Sequence, residues 1–271
     1  MTASTDAEEA ATDESEDSAK APEGRFGAVQ AYLPNRREAI FLAGGALVGA
    51  LGGAGGVTFT TKTHVVADRN DADAPSTKQA RELLEEGNHR FVAGTPEHPD
   101  QTAARRTIVA TGQHPFAAIL SCADSRVPPE VLFDQGLGDL FVVRSAGQVV
   151  DKAVLGSLQY GAEHLKTPLI VVLGHTACGA VKATIEAVET KAKPSGTAID
   201  DLVTAIKPAV VEAEEVGAEG EEMVEAAIGI NVERVVEALK ADALLGEFVA
   251  KRELKVVGAI YSLTTGEVEW L

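Results

Sequence analysis

The sequence predicts an α/β domain with a mainly parallel β-sheet flanked by helices. Three observations carry this reading. Short apolar runs recur without the polar alternation of a half-wetted strand, as expected of strands buried on both faces. Stretches with helical spacing separate those runs. The residues richest in chemistry stand where the runs end, and functional groups of open α/β sheets gather at the carboxyl ends of strands.

Each element has its own signal. The stretch from Ser76 to Gly87 predicts a helix with a serine N-cap and a terminating glycine. Phe116–Ser121 is an apolar run ending at Cys122 and reads as a buried strand. Leu140–Arg144 is the second such run, Leu169–Leu173 the third and Leu254–Tyr261 the fourth, with Val268–Trp270 as an edge strand. Helices are expected over Lys152–Leu165, Gly179–Lys191, Asp200–Val216 and Met223–Leu239, the third of them containing Pro208. Pro194–Gly196 and Gly217–Gly220 read as loops between helices.

The chain has 271 residues, 45% of them hydrophobic, which suffices for one substantial core with appendages. Its net charge of −17 argues against a nucleic-acid partner, because phosphate contacts need clustered Lys and Arg. Residues 1–34 open with an acidic stretch lacking apolar periodicity, read as a disordered tail with a solvated helix as the alternative. Arg36-Arg37 then precedes the uncharged stretch Ala39–Phe59. Many glycines and alanines make that stretch a poor membrane span, although it is about long enough for one. Residues 35–67 resemble a twin-arginine export signal, with Val65-Val66-Ala67 supplying the small residues of a cleavage site. An uncleaved anchor or a plain linker are the rival readings. Any membrane association is expected only through residues 39–59. Residues 68–75 form a linker, and 76–271 form the globular domain.

Both cysteines fall inside short motifs, Cys122-Ala-Asp124-Ser-Arg126 and His175-Thr-Ala-Cys178. Two thiolates and one imidazole are a natural donor set for one Zn²⁺, with a fourth position left for water, substrate or a carboxylate. A disulfide between the two cysteines is the competing reading. An Asp-Arg pair inside the first motif points to a fourth position that is managed chemically, hence to an enzyme. Bound zinc lowers the pKa of its water from 15.7 to about 7. Two thiolates donate more charge than imidazoles, so that water should be less acidic here than in an all-histidine site. Asp124 can accept a hydrogen bond from the hydroxide while Arg126 holds it ionised through a bidentate pair. Released by Arg126, Asp124 would become the fourth ligand and close the site.

These motifs resemble the β-class carbonic anhydrases. The resemblance runs from about Gly87-Asn-His-Arg-Phe91 to Val268-Glu-Trp270. It includes Gly112-Gln113-His-Pro115, Pro128-Pro-Glu130, the segment from Asp134 to Arg144 and Leu173-Gly-His175. It implies hydration of CO₂ to bicarbonate and a proton by a zinc-bound hydroxide. It also implies Cys122, His175 and Cys178 as zinc ligands and Asp124 and Arg126 as the catalytic dyad. Gln113 matches a substrate-binding amide, and Phe141 and Tyr160 match positions lining an apolar CO₂ pocket. A homo-oligomer, dimer or tetramer, with the pocket at the subunit interface, follows from the same resemblance. Arg144-Ser-Ala-Gly-Gln148 departs from the Arg-Asn-Ala-Gly-Asn of many members, and Thr176-Ala177 stands where relatives often carry a polar or acidic residue. Gln113, together with Trp270 as the only tryptophan, argues for an open, exchangeable zinc at neutral pH. A zinc-holding homologue without turnover is one rival. A hydrolase of CS₂- or COS-like molecules is another. A thiol redox protein is a third, weakened by the lack of a Cys-x-x-Cys pair.

Overall fold

The computed structural model describes residues 75–271. The predicted tail (1–34), the twin-arginine segment (35–67) and all of the linker except Pro75 lie outside the described residues. The described residues open with α1 (Thr77–Val92) and α2 (Ala103–Val109), then β1 (Ala117–Cys122), a short α3 (Pro129–Leu132) and β2 (Leu140–Ser145). A 3₁₀ turn, Ala146–Gln148, leads to α4 (Lys152–Glu163) and β3 (Leu169–His175). Four helices follow: α5 (Gly179–Glu189), α6 (Ile199–Glu215), α7 (Gly220–Ala241) and α8 (Ala243–Ala250). The chain ends with β4 (Lys255–Tyr261) and β5 (Val268–Trp270).

The five strands form one sheet in the order β2-β1-β3-β4-β5. The first four are mutually parallel, and β5 runs antiparallel along β4. This is the predicted α/β class. β1 and β3 are buried along their whole length, which explains their unbroken apolar sequences. Alternate residues of β1 point to opposite faces. Ala117 and Ile119 join a cluster with Ala80 and Leu84 of α1 and Phe133, while Ala118 and Leu120 pack with Leu158 of α4 and Val232 of α7.

The strand order decides where chemistry can occur. From β1 the chain crosses to β2 on one side, and the next strand, β3, joins β1 on the other. That reversal leaves a crevice outside the carboxyl ends of β1 and β3, the switch point where open α/β sheets bind ligands. Cys122 ends β1 and His175 ends β3.

Ser76 caps α1 as expected, in a capping box with Gln79. The helix does not stop at Gly87, however. It continues to Val92, and Gly87 is buried inside it. A Cβ at position 87 would overlap the Phe133 carbonyl, so this glycine serves a close helix-to-loop approach and not a helix end. The expected helices from Lys152, Gly179, Asp200 and Met223 are all present, with α7 starting earlier, at Gly220 within a predicted loop. α6 runs through Pro208. Three short helices, α2, α3 and α8, were not expected from the sequence. α2 and α8 are held by side-chain caps, Thr102 on Arg105 and Asp242 on Leu244 and Leu245, whereas α3 starts at Pro129 without one. Among the described residues no helix is long and apolar enough to cross a membrane.

Candidate metal centre

The tight turn after β3 builds half of the centre. Ala177 adopts φ 55°, a left-handed conformation costing about 1–2 kcal/mol for a residue with a Cβ. It reverses the chain so that Cys178, the N-cap residue of α5, faces back towards His175. Thr176 secures the turn. Its amide donates to the Tyr261 carbonyl at 3.0 Å, and its hydroxyl accepts from the Leu263 amide at 3.0 Å.

Cys122, His175 and Cys178 are all buried, and their ligand atoms lie within 4.8 Å of one another. His175 Nδ1 is 2.9 Å from the Thr176 carbonyl, so that nitrogen carries the proton and donates it. Nε2 is then a bare lone pair, and it is a buried polar atom without a partner. Such an orphan needs an explanation. A cation held jointly with the two sulfurs supplies one, and two thiolates with one imidazole are donors that suit zinc.

The electrostatics agree. The Cys122 thiol is drawn down to about 4, chiefly by a hydrogen bond from Cys178, helped by backbone amides, against the cost of burial. Two of those amides are visible: Gly147 N–H at 3.3 Å from Cys122 Sγ and Asp124 N–H at 3.5 Å. Cys178 is pushed up by the neighbouring Cys122 sulfur and by burial. Both sulfurs would bind a metal as thiolates, so binding would release any proton they carry.

Beside the cluster, Arg126 grips Asp124 bidentately, with Nε to Oδ1 at 2.9 Å and Nη2 to Oδ2 at 2.7 Å. The Arg126 amide adds a third bond, to Oδ1 at 2.9 Å. These bonds, those of the guanidinium first, hold the Asp124 carboxyl far below the usual carboxylate range, so it is ionised at neutral pH. Asp124 Oδ2 stands 4.0 Å from His175 Nε2, at the edge of the cluster. Arg144, at the end of β2, donates to the Cys122 carbonyl at 3.0 Å and to the Asp124 carbonyl at 2.6 Å, clamping the segment that presents the dyad.

The predicted substrate residues lie elsewhere in the protomer. Gln113 is exposed in the loop before the amino end of β1, whereas Cys122 is at its carboxyl end. Phe141 pairs with Ala118, four residues before Cys122 on β1, about 13 Å along the strand. It contacts Tyr160, with ring centroids 6.2 Å apart, and Tyr160 in turn contacts His164 at 5.1 Å. The structure thus brings together Cys122, Asp124, Arg126, His175 and Cys178, but not Gln113, Phe141 or Tyr160 of the same chain.

Sequence reasoning passed over three contributors: Arg144, Gly147 and Asn231. Asn231 is a buried polar residue on α7 whose side-chain amide donates to the Gly147 carbonyl at 3.0 Å. The available signal was an amide among the apolar residues of that helix.

Fold and centre agree with what the chain is similar to. The sequence profile of the carbonic anhydrase family matches residues 117–268. A carbonic anhydrase of Mycolicibacterium smegmatis is 44% identical over 190 residues, covering 70% of this chain and 91% of the relative. Carbonic anhydrase 2 of Mycobacterium tuberculosis is 45% identical over 188 residues, covering 69% and 89%. Among solved structures, one of two tetrameric β-carbonic anhydrases from the ascomycete Sordaria macrospora aligns with TM-score 0.57 at 25% identity, over 72% of this chain and 97% of that one. The chain belongs to the β-class carbonic anhydrase family.

Proposed function

We propose that this protein interconverts CO₂ and bicarbonate at a zinc centre held by Cys122, His175 and Cys178. The observation that carries the reading is the buried, unpartnered His175 Nε2 facing two sulfurs beside an ionised Asp124. Zinc bound there supplies Lewis acidity, which brings the pKa of a coordinated water towards neutrality. The protein residues manage what that water does. Asp124, held as an acceptor by Arg126, would take a hydrogen bond from it and so orient it for substrate. Arg126 also keeps Asp124 from turning inward to become a fourth ligand, so the site stays open at neutral pH.

Gln113, Phe141 and Tyr160 serve substrate across a subunit interface in this reading. CO₂ has no net charge or dipole, so aromatic walls with one amide donor suit it. Support comes from the edge strand β2, only partly buried, and from the exposed apolar side chains of Val131, Leu137 and Tyr160. Two copies, alone or within a tetramer, would cover that surface and bring these residues of one subunit over the centre of the other.

The test is stopped-flow CO₂ hydration by the full chain at neutral and alkaline pH, with zinc assayed in parallel. Fast turnover at both pH values with one zinc per chain is expected. Zinc without hydration at either pH would sink the proposal in favour of a non-catalytic homologue or another substrate.

We further propose that residues 35–67 direct export of the protein by the twin-arginine route, leaving 76–271 as the working domain. Replacing Arg36 and Arg37 together by Lys is expected to abolish export. Undiminished protein outside the cytoplasmic membrane, measured by fractionation and immunoblot, would refute the route.

A further inference from the structure

We infer that Asn231 is a positioning residue of the metal centre, acting through the Gly147 backbone on the Cys122 sulfur. This rests on the zinc-centre reading above. Gly147 sits in the turn after β2 with φ 64°, and its N–H points at Cys122 Sγ from 3.3 Å. On the other side of the turn, its carbonyl accepts the Asn231 side-chain amide at 3.0 Å. The N–H and the carbonyl of Gly147 belong to successive peptide groups joined at its Cα, so the Asn231 bond anchors the second group and limits how far the first, aimed at the sulfur, can tilt.

Each anchor of this relay is constrained by packing. A Cβ on Gly147 would stand 2.7 Å from Ile206 Cδ1 of α6 and 3.3 Å from Ala180 Cβ of α5, so the turn has no room to shift sideways. α7 is seated against β3 at Gly174, the residue before His175. A Cβ there would meet Val232 Cγ2 at 2.6 Å. Asn231 adjoins Val232, so the seat that positions His175 also positions the Asn231 amide. Asn231 is 4% exposed, and burying an amide is costly unless its bond is made, which favours this one arrangement.

The chemical consequence concerns the sulfur. An N–H···S bond withdraws electron density from a thiolate and limits what it donates to a metal. Without it, the sulfur would be more electron-rich but less well placed and would hold a proton more tightly in competition with the metal, and a bound metal would be a weaker Lewis acid.

The test uses the full chain with Asn231→Leu and the milder Asn231→Ser, and Asn88→Leu as a control. Asn88 is also a buried amide, bonded to the Leu132 and Gly266 carbonyls away from the centre. Zinc affinity is read by chelator competition. Sulfur-to-metal charge transfer is read in the cobalt-substituted protein. Both Asn231 variants are expected to lose about tenfold or more in zinc affinity and to shift the charge-transfer band to lower energy, while Asn88→Leu lowers only the melting temperature. An unmoved band with zinc affinity within about twofold of wild type in an Asn231 variant would overturn the inference and leave Asn231 a packing residue. Because neither readout requires turnover, failure here is distinguishable from failure of the proposed reaction.

Discussion

Cys178→Ser is expected to remove zinc and CO₂ hydration together while leaving the fold in place. A serine hydroxyl stays protonated at neutral pH and offers a hard oxygen, where zinc here would draw on a soft anionic sulfur. The site would keep only Cys122 and His175, too few to hold the ion. Fold loss is an unconvincing alternative explanation at this position. Cys178 is the N-cap residue of α5, and serine is among the best N-cap residues, so the helix start is preserved or improved. Zinc content should fall from about one ion per chain to under a tenth of that, with hydration at background and an unchanged circular dichroism spectrum. Retention of one zinc per chain would remove Cys178 from the ligand set.

Asp124→Asn separates chemistry from metal binding. The carboxylate accepts three hydrogen bonds from Arg126, two from the guanidinium and one from its amide. An Asn side chain presents an NH₂ where one of those acceptor oxygens stood, so the bidentate pair cannot re-form. It also lacks the charge that lets position 124 act as a pure acceptor. Turnover should fall about 10²- to 10⁴-fold, the range for losing a positioned acid-base group, with zinc retained at one per chain. The Arg126 side chain is 57% exposed, and exposed pairs contribute little to stability, so the melting temperature should barely change. An unaffected rate with zinc retained would show that the dyad takes no part in catalysis.

Much of the fold was legible because a doubly covered parallel sheet leaves an unmistakable mark. Ala117–Leu120 and Leu169–Leu173 are apolar throughout since both faces are buried, and the polar residues Ser121 and His175 come only at the carboxyl ends of their strands. Gly87 shows where such reading failed. It looked like a helix terminator, yet what demands a glycine there is the Phe133 backbone, 46 positions away. The short helices α2, α3 and α8 escaped notice because they lack enough turns to display a period.

By itself, the sequence determined the α/β class, the donor set of two sulfurs and an imidazole, and the Asp-Arg pair, because each is written in residues adjacent or periodic along the chain. Only the tertiary structure decided that β1 and β3 are neighbours across a switch point, which puts Cys122 beside His175 although 53 positions separate them. It also decided that Phe141 and Tyr160 stand apart from the centre of their own chain, and that Arg144, Gly147 and Asn231 surround Cys122. Strand order, helix seating and the hydrogen bonds across them join residues far apart in sequence, and composition or periodicity records no such pairing.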